Sequence, residues 1–248
     1  MIQRVAVIVP AADEQDRIAA CLAAIEKARR RLLETTSTVE GVDVIVVLDA
    51  CVDGTETIVD RFAAGGHIQA ITSGARRVGA ARRLGAQQAM ESGVKADRLW
   101  LANTDADSTV PADWLTRMVA AADGGAQVVL GTVLPGAGLT AALRTAWLAP
   151  HHLREGHPHV HGANLGIRAD TYLELGGWDG GLASAEDVDL AGRAAADPEV
   201  RILRTAAIPV LTSVRIAGRA PGGFSSYIRH LREQHPVTRS SATRLQRS

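Results

Sequence analysis

Four short apolar runs, Val5–Val9, Val42–Leu48, Ile68–Ile71 and Leu99–Ala102, alternate with segments whose apolar residues recur at helical spacing. Ile18, Leu22, Ile25 and Leu32 follow the first run, Ile58, Val59 and Phe62 the second, and an Ala- and Arg-rich stretch from Arg77 to Met90 the third. Continuous apolar runs suit strands covered on both faces, and strand–helix alternation predicts a doubly wound sheet. In such sheets ligands bind beyond the carboxyl ends of the strands. Asp13 and Glu14, Asp49, and Asp105 with Asp107 all follow such ends, so acids distant in sequence are expected on one rim.

The Asp105-Ala106-Asp107 pair carries the most chemistry. Two carboxylates one residue apart suit a hard divalent cation that also holds substrate phosphates. Taken alone, they equally suit Asx turns or the cap of the helix after Pro111. The agreement of three acidic loops on one rim is harder to explain by capping.

At 248 residues a single large α/β domain is expected, with residues 1–133 and 134–237 as its two halves and 238–248 as a disordered tail. The 27 basic and 27 acidic residues cancel, which argues against nucleic acid as a partner. From Arg215 onward seven arginines face one acid, Glu233, so peripheral contact with an anionic membrane surface is left open. Cys21 and Cys51 have neither disulfide nor zinc spacing. The first residues lack a signal-peptide pattern and no apolar run reaches spanning length, so a cytoplasmic location, peripheral to the inner membrane face at most, is expected.

Further along, Gln127–Val133, an extended segment at 162–168, and two late strands at 201–203 and 208–214 are expected, with helices at 140–152, 169–175, 184–196 and 224–233. Five histidines fall between His151 and His161. A strand would put His157, His159 and His161 on one face and invite a transition metal, but Pro158 and Gly162 argue for a loop, so this stretch reads as a polar wall of a substrate pocket. Ser184 is placed to cap the helix that begins with Glu186, Asp187 and Asp189, and acids in a first turn complement the helix dipole.

Six segments in order, Val7-Ile8-Val9-Pro10-Ala11-Ala12-Asp13-Glu14, Val47-Leu48-Asp49 with Asp53-Gly54-Thr55, Val78-Gly79-Ala80-Ala81-Arg82, Thr104-Asp105-Ala106-Asp107, Gly162-Ala163-Asn164, and Gly176-Gly177-Trp178-Asp179 with Glu186-Asp187-Val188-Asp189-Leu190, resemble the family 2 nucleotide-sugar glycosyltransferases of the GT-A fold. The resemblance implies an α/β GT-A domain, Rossmann-like, with a central, mostly parallel mixed sheet flanked by helices, in which residues 1–133 form a nucleotide-sugar-binding half and 134–237 an acceptor-binding half. It implies that Pro10, Ala11 and Glu14 line the nucleoside, that Asp49 meets the base edge and so favours UDP, and that Arg77 or Arg82 lies near the base or diphosphate. Asp105 would touch the ribose or the metal's water shell, Asp107 would ligate Mn²⁺ or Mg²⁺, and His230 or His235 would complete that site. Asp187 matches the catalytic base and Glu186 an acceptor contact, while His161, Asn164, Trp178 and Asp179 would build the acceptor pocket.

The implied activity is transfer of one sugar, with inversion, from a nucleoside-diphosphate sugar to the hydroxyl of a small-molecule or glycolipid acceptor. A divalent ion stabilises charge on the leaving diphosphate, and a carboxylate opposite removes the acceptor proton. Leu48 or Ala50 stands where the family has a second acid, Asp13 replaces the usual Asn, and the Q-x-x-R-W element of processive synthases is absent. A retaining transferase and a non-catalytic nucleotide-sugar or glycan-binding protein of the same fold are the alternatives. A nucleotidyltransferase would carry G-x-G-T-R after the first strand, where this chain has Pro10-Ala11-Ala12-Asp13-Glu14.

Overall fold

The computed structural model describes residues 1–151 and 153–214. Eight strands form one mixed sheet: β1 (Arg4–Ala11), β2 (Gly41–Asp49), β3 (Ile68–Ser73), β4 (Leu99–Asn103), β5 (Ser108–Thr109), β6 (Val128–Pro135), β7 (Leu165–Arg168) and β8 (Ile202–Thr212). Their order across the sheet is β3-β2-β1-β4-β7-β6-β8-β5. The first four strands pair in parallel, β7 is antiparallel to both β4 and β6, and β6 pairs in parallel with β8. Among the described residues seven helices flank it: α1 (Ile18–Thr35), α2 (Thr55–Ala63), α3 (Val78–Met90), α4 (Trp114–Asp123), α5 (Ala141–Leu148), α6 (Ala169–Glu174) and α7 (Glu186–Ala196).

Alternation within the central strands feeds two cores. Val5, Val7 and Val9 face one layer with α1 and α4, whereas Ala6 and Ile8 face the other with α3 and α7. Both faces are covered, which is why these strands read as unbroken apolar runs. Helix α3 lies close to the sheet because its buried face is small: Ala81, Gly85, Ala86 and Ala89. A Cβ on Gly85 would fall 2.6 Å from the Ile8 side chain. The chain steps from β1 outward to β3 and then returns to β4 on the other side of β1, so a crevice opens where the strand order reverses.

Three sequence expectations change. The two late strands are one, β8, with a register shift opposite Gly131–Val133 that absorbs the interruption. Strand β5, two residues long and unforeseen, pairs antiparallel with the end of β8. Ser184 does not cap α7; the N-cap position is Ala185, in the left-handed region at φ 62°, with no side-chain cap. The expected helix at 224–233, the tail at 238–248 and the basic run from Arg215 lie outside the described residues.

Asn164, expected in the acceptor pocket, belongs to the core. Fully buried, it donates from Nδ2 to the carbonyls of Thr132 (2.8 Å) and Ile208 (2.7 Å), and its Oδ1 accepts from the Trp114 indole (2.9 Å). This one amide ties β6, β8 and α4 together, and the missing side chain of Gly131 leaves room for it. Replacing Asn164 by Ala strands three buried polar groups, each costing about 1–3 kcal/mol when unsatisfied. Asn164→Ala is expected to lose about 2–5 kcal/mol in urea denaturation; a loss below about 0.5 kcal/mol would contradict the latch.

Candidate functional site

The crevice at the strand ends is a cleft of about 850 Å³. The loop after β1 supplies Pro10, Ala11, Asp13 and Glu14, the loop after β2 supplies Asp49 and Ala50, and α3 with its preceding loop supplies Arg76, Arg77 and Arg82. Asp105 and Asp107 enter from the end of β4, Val133 from β6, His161 and Gly162 from the segment before β7, Glu186 and Asp187 from the start of α7, and Thr212 and Ser213 from the end of β8.

Backbone strain is concentrated here. Among the described residues the non-glycine positions with left-handed backbone are Asp13 (φ 49°), Ala50 (53°), Arg76 (51°) and Ala185 (62°). All four line this cleft. Each costs on the order of 1–2 kcal/mol and persists where surrounding contacts over-determine it. Those contacts are visible. Asp13 accepts from the Val52 amide (2.7 Å), Thr55 Oγ1 from the Glu14 amide (2.7 Å), and the Asp49 carboxylate from the amides of Arg76 (2.9 Å) and Arg77 (3.0 Å). Asp49 is thus buried and holds the loop before α3 against the end of β2.

Arg82, one of the two arginines that the resemblance places near the base or diphosphate, lines the cleft but is 2 % exposed and held on three sides. Its guanidinium donates to Asp105 Oδ1 (2.5 Å) and to Glu186 Oε1, and its Cζ lies 5.3 Å from the centre of the Trp178 ring. Gly162 lies against it so closely that a Cβ there would overlap Nη1. Glu186 is therefore a buried ion-pair partner. Burial pushes the Asp105 carboxyl up to about 6, opposed by Arg82 and reinforced by Asp107, Glu186 and Asp187.

Asp187 sits at the first turn of α7, half-buried. Its Oδ2 accepts from the Gly162 amide (2.7 Å) and its Oδ1 from the Val188 amide (2.9 Å), which fix the carboxylate at the cleft wall. Asp107 Oδ2 accepts from the Ser213 hydroxyl at 2.5 Å.

The histidine segment forms no strand. His151 stacks on Trp147 with ring centres 3.9 Å apart, and His159 lies 5.3, 5.8 and 6.0 Å from His151, His157 and His161. Of the described histidines only His161 lines the cleft. Burial pushes it down to about 4, against the pull of Asp187, so it is neutral at pH 7. Among the described residues, no group of three or more His, Cys, Asp or Glu side chains is arranged to hold a metal ion, and His230 and His235 lie outside them.

Two more expected acceptor residues lie off the cleft. Trp178 is 1 % exposed and packs in the core beside α7, where it supports Arg82. Asp179 is exposed and turns back to accept from the Gly181 amide (2.8 Å). Conversely, Ser213 and Thr212 were missed. Their nearness to Asp107 follows from pairing of β5 with β8, which no local pattern announces.

Removing Arg82 leaves Glu186 as an uncompensated buried charge and Asp105, partly exposed at the cleft, without its cation. Breaking a buried pair in this way costs about 3–5 kcal/mol. Arg82→Met is expected to lose about that much in urea unfolding; a change below about 1 kcal/mol would show that the network is not needed for the fold.

The sequence matches the model of the family described as Glycosyl transferase family 2 over residues 6–169. The fold is similar to that of S. aureus TarS 1-349 in complex with UDP-GlcNAc, at TM-score 0.65 and 15% identity, covering 94% of this chain and 66% of that one. TarS 1-349 in complex with UDP gives TM-score 0.62 at 16% identity over 86% and 61% of the two chains. The mannosyltransferase PcManGT from Pyrobaculum calidifontis, in complex with GDP-Man and Mn²⁺, gives TM-score 0.59 at 20% identity over 95% and 62%. The chain thus spans less than two thirds of the length of these structures. No curated protein sequence matches it significantly. With the family model covering most of the chain and the sheet taking the GT-A arrangement, the protein belongs to glycosyl transferase family 2.

Proposed function

We propose that the protein transfers one sugar, with inversion, from a nucleoside-diphosphate sugar to an acceptor hydroxyl, using Asp187 as the general base. The observation that carries this reading is that the Asp105–Asp107 loop and Asp187, supplied by different elements, share one cleft with the loops after β1 and β2. The nucleoside would lie against Pro10, Ala11, Glu14 and the loop clamped by Asp49, beside the exposed Arg77. UDP is the first choice of nucleotide and GDP the second, in line with the UDP, UDP-GlcNAc and GDP-Man bound by the structural neighbours.

The carboxylates fit a divalent cation in part. Asp107 offers hard oxygen ligands at the cleft, suited to Mn²⁺ or Mg²⁺ shared with a diphosphate. Asp105 already spends one oxygen on Arg82, so Asp107 is the principal metal-side ligand and Asp105 its neighbour. When bound, the cation would stabilise negative charge on the departing diphosphate.

In the transfer, the acceptor oxygen forms a bond to the anomeric carbon as the bond from that carbon to the β-phosphate oxygen breaks. The nucleoside diphosphate leaves with the electron pair, and the acceptor proton passes to Asp187. Asp187 is held for this by the amides of Gly162 and Val188, and neutral His161 leaves the carboxylate without a competing cation on that side. Glu186 supports the site through Arg82. No helix among the described residues is long and apolar enough to cross a membrane, and the acceptor in this reading is a small molecule or a glycolipid presented at a membrane surface.

Asp187→Asn keeps the side chain's shape and removes the base. Nucleotide-sugar binding is expected to stay within about twofold while transfer falls about 10²- to 10⁴-fold, the usual contribution of a general base. Transfer at the wild-type rate by this variant would reject Asp187 as the base.

A further inference from the structure

Strand β5 begins one residue after Asp107 and contains only Ser108 and Thr109, yet it is paired with the end of β8. The antiparallel register sets Ser108 opposite Thr212 and Thr109 opposite Leu211, and the two facing hydroxyls, Ser108 Oγ and Thr212 Oγ1, are 3.1 Å apart. Continuing that register by one residue brings Asp107 opposite Ser213. The Ser213 hydroxyl donates to Asp107 Oδ2 at 2.5 Å, a length typical of a hydroxyl bonded to a charged acceptor. These two residues also form the wall between the main cleft and a second cavity of about 410 Å³, lined on its far side by Arg17, Gly136 and Leu211.

We propose that Ser213 is a positioning residue for the metal-side carboxylate: its hydroxyl, delivered by the β5–β8 register, fixes the orientation of Asp107 so that the carboxylate is presented to the cation and diphosphate. The inference rests on Asp107 acting on the metal side, as proposed above. A cation that demands near-ideal oxygen geometry binds best when the rotamer freedom of its carboxylate ligand is already restricted. Hydrogen-bonding partners of metal ligands typically contribute about 10- to 100-fold in metal affinity.

The test titrates Mn²⁺ into the full chain with saturating UDP or GDP, whichever binds more tightly, and follows free Mn²⁺ by electron paramagnetic resonance. Ser213→Ala is expected to weaken Mn²⁺ binding about 10- to 100-fold and to be rescued by Ser213→Thr. Ser108→Ala serves as the control. It removes the neighbouring hydroxyl contact of the same strand pair, so it is expected to lower thermal stability without shifting the Mn²⁺ curve. An unshifted curve in Ser213→Ala, beside a metal-dependent wild type, overturns the inference alone. A shift of equal size in Ser108→Ala reduces Ser213 to a structural role and also overturns it. Metal-independent nucleotide binding by the wild type overturns the inference together with the metal reading beneath it.

Discussion

The site depends on one buried cation. Asp105, Asp107, Glu186 and Asp187 all line a single cleft, and like charges so placed repel one another unless a positive charge offsets them. Arg82 supplies that charge from α3, reaching Asp105 at the end of β4 and Glu186 at the start of α7. The early parallel strands and the late helix are thereby joined by charge as well as by packing. Two glycines make this geometry possible. Gly162 allows the guanidinium to lie against the backbone before β7, and Gly79 lets α3 approach α7, where a Cβ would fall 2.8 Å from the Asp179 carbonyl and 3.1 Å from the Glu186 side chain.

The rigid sheet and the strained rim divide the work. Parallel strands β1, β2 and β4 carry their acids to one edge without local strain, because their side chains are satisfied by the two cores. The turns after β1, β2 and β3 and before α7 hold left-handed aspartate, alanine and arginine residues, and cross-loop hydrogen bonds keep Asp13 and Arg76 in place. Such a rim keeps backbone amides and carboxylates in one arrangement before a ligand arrives.

Much of the architecture was legible because periodicity reports burial directly. The runs at Val5, Val42, Ile68 and Leu99 are strands, and the acids after them do meet. What the chain concealed was long-range. Asn164 and Trp178 sit in motif-like segments, yet their polar atoms and rings serve the core, and local sequence carries no sign of whether a side chain faces the cleft or the sheet. The burial of Arg82 between Asp105 and Glu186 shows only once α3 is docked, and Ser213 has no role until β5 pairs with β8. The histidines between His151 and His161 read as the wall of a pocket, but of those described only His161 lines the cleft.

The most direct test of the account is calorimetric titration of UDP and of GDP into the protein, first with Mn²⁺ and then with EDTA. The account predicts that one nucleotide binds with the metal present and that chelation abolishes or strongly weakens the binding. Binding of neither nucleotide under any condition would contradict the assignment of the cleft as a nucleotide-sugar site.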